Sequence, residues 1–153
     1  MADVVSAEVR SRMMAGIRGK NTKPEMIIRR GLHARGFRYL LHDKRLPGKP
    51  DLVFPKHRAV IFVHGCFWHG HGCHLFKWPK TRKEFWRKKI ERNRMVDAAA
   101  LAALLGTNWR IGLVWECALK GREAIPADLL TGKISCWLCS QRKCIELRGT
   151  VTK

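Results

Sequence analysis

The segment from His64 to His74 constrains the fold of this chain more than any other feature. Within eleven residues it contains four histidines, two cysteines and three glycines. The glycines disfavour a helix and interrupt any continuous apolar face, so the segment is unsuited to a core element. Imidazoles and thiolates at these short spacings are the ligands that zinc takes in proteins. The segment is therefore predicted to be a metal-binding loop.

Zinc requires four tetrahedral nitrogen or sulfur donors, and the loop supplies three of them. These are Cys66, His71 and Cys73. Cys117, at the end of a later predicted strand, is the best candidate for the fourth, with His69 and His74 as competing donors. A closed set of four protein ligands predicts a structural zinc ion that holds the loop in place.

The charge of the chain predicts a polyanionic partner. Its 153 residues include 31 Lys and Arg but 12 Asp and Glu, a formal net charge of +19 at pH 7. Such an excess repels itself unless a polyanion balances it, and nucleic acid is the expected partner. No apolar run approaches the ~18 residues of a membrane span, and the N-terminus has no signal-peptide core. We expect a protein that binds no membrane and stays in a reducing cytoplasm, where cysteines serve as metal ligands or core thiols.

Helical patterns occupy the first part of the chain. An apolar stripe at steps of four predicts a helix over residues 5–18: Val5, Val9, Met13 and Ile17. Met14 lies among arginines on the adjacent stripe, where it either widens the buried face or contacts a partner. A second helix should begin at Thr22, whose capping box with Glu25 has proline in the first turn, and end at Gly36. The capping box already explains Glu25, and a further role near a metal ion stays open.

Apolar runs predict the strands of a sheet: residues 37–41, 52–54, 59–63 and 109–115. The run 59–63 is continuously apolar, which is typical of a central strand buried on both faces. A turn delivers Asp51 to the start of 52–54, and the run 59–63 ends at His64. The two residues are therefore predicted to lie on neighbouring strands of a hairpin.

The second half of the chain predicts another long helix. It should begin with a capping box at residues 81–84 and end at Gly106. Asp97 falls on its apolar face, so a carboxylate points toward the interior. A short helix is expected near 123–130, and beyond Ser135 the pattern fades into a basic tail with three cysteines, which lack a clear fourth zinc ligand: Cys136, Cys139 and Cys144.

Several of these side chains suit phosphodiester hydrolysis. Asp51 with a strand carbonyl such as that of Val63 offers the oxygen ligands that Mg²⁺ prefers, and a hard cation there would polarise a phosphate. His69 is the candidate general base, with Asp97 as its orienting partner. His64 would contact the phosphate or a water molecule next to the metal. The alternative for Asp97 is a buried acid paired with a lysine or arginine.

Phe67 and Trp68 are poor candidates for the core because they stand in a polar loop without a periodic apolar partner. Side chains of this kind can enter a base stack and unstack it, which favours sites that a mismatch has already weakened. The alternative is that they pack beneath the loop.

These segments resemble the very short patch repair (Vsr) endonucleases. The resemblance covers about residues 6–125 and rests on Met14, Thr22, Pro24, Glu25, Pro50-Asp51, the run Phe62 to His69, His71, Cys73, Lys77, residues 81–86 and residues 114–119. It implies an α/β fold of the restriction-endonuclease type, a mixed sheet flanked by helices with a structural zinc site. It also implies magnesium-dependent nicking of DNA 5′ to the thymine of a T:G mismatch left by deamination of 5-methylcytosine.

The same resemblance implies a role for each matched residue. Zinc belongs to Cys66, His71, Cys73 and Cys117. The magnesium ligands would be Asp51 and the carbonyl of Val63. Many family members have threonine at this position. Valine can supply the same backbone carbonyl, but it cannot replace a threonine hydroxyl group. Catalysis belongs to His64 and His69, with Asp97 and Glu25 in support. The intercalating wedge belongs to Met14, Phe67 and Trp68.

We accordingly expect a DNA repair endonuclease that acts as a monomer on double-stranded DNA with a T:G mismatch. Its place would be the bacterial cytoplasm at the nucleoid, with mismatch-repair proteins as candidate partners. Residues 1–20 would form a DNA-contacting helix, 21–134 the endonuclease core and 135–153 a basic tail containing cysteine. Two rival functions remain: a zinc-stabilised DNA-binding module without activity, and a restriction-type nuclease that cuts matched duplex.

Overall fold

The computed structural model describes residues 22–73 and 75–149. The predicted helix over residues 5–18, with Met14, and the competing zinc donor His74 therefore lie outside the described residues. Three helices and five strands form within them: α1 (Lys23–Ala34), β1 (Leu40–Leu41), β2 (Leu52–Phe54), β3 (Ala59–His64), α2 (Lys83–Gly106), β4 (Arg110–Trp115), α3 (Ala127–Leu138) and β5 (Cys144–Leu147). The predicted α/β class is confirmed.

The five strands form one mixed sheet in the order β1-β2-β3-β4-β5. The first three strands are antiparallel neighbours, whereas β4 runs parallel to both β3 and β5. β3 is the central strand, and five of its six residues are buried. Asp51 immediately precedes β2 and His64 ends β3, so the prediction that a hairpin brings them to neighbouring strands is confirmed.

Helices cover both faces of the sheet. Because successive side chains of a strand point to opposite faces, Ile61 packs in one core and Val60 in another. α1 and α3 line the first core, where Trp137 is only 1% exposed. α2 lines the second core through Leu104. This arrangement buries each apolar face against another layer, as a stable domain requires.

The sequence patterns placed the start of α1 correctly and the start of α2 wrongly. At α1 the prediction was correct, because the Thr22 hydroxyl accepts a hydrogen bond from the Glu25 N–H at 3.4 Å. At α2 the predicted capping box is wrong: the helix begins at Lys83, after Arg82 in a left-handed conformation (φ 55°) with no side-chain cap. The chain leaves α2 through Asn108, whose φ of 66° takes the left-handed turn after Gly106.

The expectation of a tail beyond Ser135 is also wrong. α3 lies at 127–138 rather than 123–130, and β5 adds a fifth strand, with Cys144 opposite Ile111 of β4. The pattern was weak because Leu147 alone of the four β5 residues is buried. Cys136 and Cys139 lie exposed on and just after α3. No helix in the described ranges is both long and apolar enough to traverse a bilayer.

Candidate active site and metal centre

The ends of two parallel strands bring the predicted site residues together. β3 ends at His64 and β4 ends at Trp115, and these two residues are paired in the sheet. The loop that follows β3 contains the histidines and cysteines, while the chain after β4 enters a short 3₁₀ turn, Glu116–Ala118. α2 passes over the loop, where Asn93 donates to the Trp68 carbonyl at 2.8 Å.

A cysteine and histidine cluster lies at this edge of the sheet. One donor atom from each of four residues lies within 4.8 Å of all the others: Cys66, His71, Cys73 and Cys117. His71 presents its Nδ1 atom to the cluster, 3.6 Å from the Cys117 Sγ atom. The backbone N–H groups of Cys117 and Gly149 donate to the Cys66 and Cys117 sulfur atoms at 3.3 and 3.2 Å. Sequence reasoning therefore grouped the four residues that the fold brings together.

The electrostatics of this cluster suit a bound cation. Burial raises the pKa of the Cys66 and Cys117 thiols, so both are protonated near neutral pH unless a positive charge lies beside them. Burial also lowers the pKa of His71, which keeps its imidazole neutral and able to donate a lone pair. Zn–S and Zn–N bonds of about 2.3 and 2.0–2.1 Å at a tetrahedral angle place the two ligand atoms about 3.6 Å apart. The His71–Cys117 separation fits that requirement.

A second group joins His64, His69 and Asp97. Asp97 projects from α2, and its Oδ2 atom contacts the Nδ1 atom of His69. The rings of His64 and His69 stack with centroids 3.9 Å apart and planes 4° apart. Burial lowers the pKa of His64 to about 4, and the neighbouring His69 acts in the same direction. His64 is consequently neutral near pH 7, whereas His69 has a carboxylate to orient its ring.

A third group contains Asp51, Glu25 and His42. One ligand atom of each lies within 4.8 Å of the others. The Val63 N–H donates to the Asp51 carboxylate at 2.7 Å, so the backbone next to His64 lies against this acid. Burial and the nearby Glu25 carboxylate raise the pKa of Asp51 to about 7 despite that hydrogen bond. Two acids this close in a buried site favour a cation between them.

Sequence reasoning missed His42, which bridges the third group. Its Nε2 atom lies 3.0 and 2.9 Å from the two carboxylate oxygens of Glu25, which is 1% exposed. Its backbone N–H also donates to the Asp51 carbonyl at 3.0 Å. The Glu25 side chain thus lies in the acidic group, in addition to the helix-start role that the sequence predicted. The available signal was strand pairing, because Leu41 lies opposite Leu52 and extends the hairpin to His42 and Asp51.

The aromatic side chains of the loop are half-buried rather than free. Phe67 packs edge-on against Trp68 and Trp86, with centroids 5.3 Å apart in both pairs. Trp86 belongs to α2 and also meets Trp68 at 5.8 Å. The aromatic cluster continues through Phe76 to Trp78, which is 52% exposed. Phe67 and Trp68 therefore pack partly beneath the loop, and the same cluster keeps an exposed edge at Trp78.

Basic side chains surround this region. All six lysines and arginines of α2 are exposed: Lys83, Arg87, Lys88, Lys89, Arg92 and Arg94. Their positive charge lies on the helix that carries Trp86 and Asp97. A polyanion that approached α2 would therefore meet the aromatic cluster and the histidine pair on the same side of the sheet.

The fold and these groups are those expected of a nuclease, and comparisons with known proteins agree. The family model described as DNA mismatch endonuclease Vsr matches residues 2–75. The chain is 43% identical over 141 residues to the DNA mismatch endonuclease Vsr of Escherichia coli, covering 92% of this chain and 90% of that protein. It is 50% identical over 129 residues to the type II nicking enzyme V.XorIIP of Xanthomonas oryzae, covering 84% and 95% of the two chains.

A third relative is the type II nicking enzyme V.NmeAIP of Neisseria meningitidis, 42% identical over 122 residues, with 80% of this chain and 87% of that protein covered. The chain belongs to the Vsr family of DNA mismatch endonucleases. It is an endonuclease, as the resemblance in its sequence implied.

Proposed function

We propose that this endonuclease nicks one strand of double-stranded DNA 5′ to the thymine of a T:G mismatch, and so starts very short patch repair. One structural relationship carries the proposal: the half-buried Asp51 carboxylate and the His69–Asp97 pair lie at the same end of β3, beside the aromatic cluster. A binding module needs neither the buried acids nor the histidine pair. An open aromatic edge suits a duplex whose stacking is already weakened.

A structural zinc ion is part of this proposal. Its ligands would be Cys66, His71, Cys73 and Cys117, whose donor atoms all lie within 4.8 Å of one another, close enough for one tetrahedral ion to bind all four. The loop between Cys66 and Cys73 contains two glycines, Gly70 and Gly72, and little regular structure. Ligands at both of its ends and on the turn after β4 would fix the loop in which His69 stands. We propose that the mixed sheet and this candidate metal site belong to the restriction-endonuclease-like fold that the resemblance implies.

Asp51 is the proposed magnesium ligand, together with the Val63 carbonyl. When bound there, Mg²⁺ supplies positive charge that polarises the phosphate. Glu25 supports the site through its charge, and His42 orients Glu25 by holding both of its carboxylate oxygens. Valine at position 63 suffices because the backbone, and not a hydroxyl group, lies against Asp51.

His69 is the proposed general base. The Asp97 carboxylate holds its Nδ1 atom, so the Nε2 atom is available to accept a proton from the attacking water. The neutral His64 ring covers one face of the His69 ring, so that only the other face is open. His64 would also contact the phosphate. The contacts support this division of roles, since Asp97 contacts His69 directly, whereas His64 only stacks on the His69 ring.

The wedge residues complete the proposal. Phe67 and Trp68 would enter the stack at the mismatch, supported from behind by Trp86. Met14 and the N-terminal helix of residues 1–20 are proposed to contact the same DNA, although they lie outside the described residues. We further propose that the protein acts as a monomer in the bacterial cytoplasm, with mismatch-repair proteins as partners.

The test is a nicking assay on end-labelled duplexes that differ only in one base pair, T:G or T:A, with each strand labelled in turn. In the presence of Mg²⁺ we expect one cut, 5′ to the mismatched thymine, in the T:G duplex alone. Asp51→Ala should abolish the cut while binding to the T:G duplex persists. Cuts in both strands of the T:A duplex would identify a restriction-type nuclease, and binding to T:G DNA without any cut would identify a binding module.

A further inference from the structure

We propose that Trp115 is a positioning residue that transmits the geometry of the Cys/His cluster to the histidine pair, an inference that rests on the proposed function. Nothing in the sequence pattern singled out its indole, which reads as the last residue of a buried strand. In the structure it stands between the two groups and contacts both.

The indole meets the cluster face to face. The rings of Trp115 and His71 stack with centroids 4.0 Å apart and planes 5° apart. His71 directs Nδ1 toward Cys117, so its ring plane is tied to the cluster. A change in the position of His71 should therefore displace the Trp115 ring, since stacked aromatic surfaces at this distance leave no free space between them.

The same indole meets the histidine pair through edge contacts. Its centroid lies 5.4 Å from that of His64 and 6.2 Å from that of His69, with planes inclined by 74° and 73°. The parallel register places His64 directly opposite Trp115 on the neighbouring strand. The backbone thus fixes the distance between these two residues, while the rings fix their inclination.

A continuous line of contacts results. It runs from Asp97 through His69, His64, Trp115 and His71 to Cys117. Trp115 is the single ring of this line that touches residues of both groups, and a smaller side chain would interrupt the line. Zinc in the Cys/His cluster would accordingly orient His69 for proton transfer as well as holding the loop.

The buried indole N–H of Trp115 indicates that this position requires the width of an indole ring. Its Nε1 atom is buried and has no hydrogen-bond partner among the described residues. A buried N–H without a partner is unfavourable, so a phenylalanine would be preferred if any aromatic ring sufficed. Trp115, His64 and His71 all line one cavity of about 310 Å³. The wider indole spans the distance between the two histidines across the wall of this cavity.

Trp115→Leu and Trp115→Phe are the test variants, and Trp109→Leu is the matched control. Trp109 immediately precedes the same strand and packs in the core next to α2, away from both groups. For Trp115→Leu we expect about one zinc per chain and a nearly unchanged Kd for T:G duplex measured without Mg²⁺. Its single-turnover nicking rate should fall by about 10–100-fold, the usual cost of removing a group that orients a ligand.

Trp115→Phe should recover only a small part of that rate, because its narrower ring does not span the distance between the two histidines, whereas Trp109→Leu should lower the Tm and leave the rate unchanged. In a His69→Ala background, Trp115→Leu should lower the nicking rate further by less than about twofold. The effects of two residues that act through each other are not expected to be additive. A full further loss in that background, or an equal rate loss in Trp109→Leu, would overturn the proposal.

An NMR measurement separates this proposal from the nicking activity. Replacement of zinc by Cd²⁺ changes the ligand bond lengths in the cluster without a need for substrate. In the wild type, replacement of zinc by Cd²⁺ should shift the imidazole proton resonances of His64 and His69. In Trp115→Leu the same replacement should leave these resonances unchanged. Equal shifts in both proteins would refute the coupling even if T:G nicking is observed, and a wild type that shows the shifts but does not nick would refute the proposed function alone.

Discussion

The Val63 backbone N–H donates a hydrogen bond of 2.7 Å to the Asp51 carboxylate, and yet the pKa of Asp51 is raised to about 7. Burial is the largest cause, and the adjacent Glu25 carboxylate adds to it. The backbone hydrogen bonds, of which that from Val63 has the larger effect, are therefore too weak to offset the loss of water around the carboxylate. Without a cation, Asp51 is a source of instability in the folded protein.

Asp51→Asn should consequently stabilise the metal-free site at alkaline pH. The folded-state pKa of Asp51 lies above the unfolded-state pKa, so its contribution to folding is most favourable below pH ~4 and is lost as the pH rises to about 7. At pH 8 without added Mg²⁺ the variant should exceed the wild type in free energy of unfolding, by on the order of 2–4 kcal/mol. The difference should shrink toward pH 5. Urea unfolding at both pH values measures it.

Asp43→Asn is the matched control, because the hydrogen bonds from Arg45 hold the pKa of Asp43 at about 2. This control should not stabilise the protein at pH 8. Added Mg²⁺ should raise the Tm of the wild type and not that of Asp51→Asn. A wild type that is more stable than Asp51→Asn at pH 8 without Mg²⁺ would contradict the account of this carboxylate.

His69→Ala should slow nicking by on the order of 10²–10⁴, the usual contribution of a general acid or base. Asp97→Asn should lower the nicking rate by a smaller factor, since it leaves the His69 imidazole present but poorly oriented. Single-turnover rates on T:G duplex at saturating protein report the chemical step. His33→Ala, an exposed histidine in the last turn of α1, is the control and should nick at the normal rate. A normal rate in His69→Ala would move the role of base to another residue.

Local patterns predicted the parts of this site that are close in sequence or that end a regular element. Asp51, His64 and the loop cysteines follow from strand ends and donor spacing, and Asp97 follows from helical periodicity. His42 and Trp115 did not, because their roles depend on which strands become neighbours. β5 was missed for a related reason: a short edge strand with one buried residue has almost no periodic signal. Pairing of distant strands is decided by the packing of the whole sheet.

Cys117→Ser should remove the zinc and much of the folded stability. Cys117 is 1% exposed and its sulfur lies 3.6 Å from His71 Nδ1, so serine would leave three donors and a poor fourth ligand. We expect about one zinc per chain in the wild type and well below half of that in the variant. Elemental analysis and thermal unfolding provide the two readouts. Cys144→Ser, at an exposed cysteine of β5, should keep both properties.

Full zinc content in Cys117→Ser would assign the fourth ligand to another donor. His69 is poorly placed for that role, because its Nδ1 atom contacts Asp97 and its ring stacks on His64.

Trp68→Ala should separate mismatch recognition from charge. Binding of DNA by a chain of net charge +19 should weaken steeply with salt, and loss of one phosphate contact flattens the slope by about one unit. Trp68→Ala removes stacking worth about 1–3 kcal/mol, by analogy with bases on single strands, and no charge. Its affinity for T:G duplex should therefore fall far more than that for T:A duplex, with the salt slope unchanged. Lys88→Ala, an exposed charge on α2, should show the reverse pattern.

The measurement is the Kd of the wild type and both variants for the two duplexes across a salt series. Trp68 also packs against Trp86 at 5.8 Å, and its carbonyl accepts a hydrogen bond from Asn93, so a purely structural role predicts a different outcome. In that case both duplexes would lose affinity equally, and the Tm of Trp68→Ala would fall in parallel. A selective loss on T:G duplex with a nearly normal Tm is what an aromatic wedge requires, because the ring then contributes to binding only where the base stack opens.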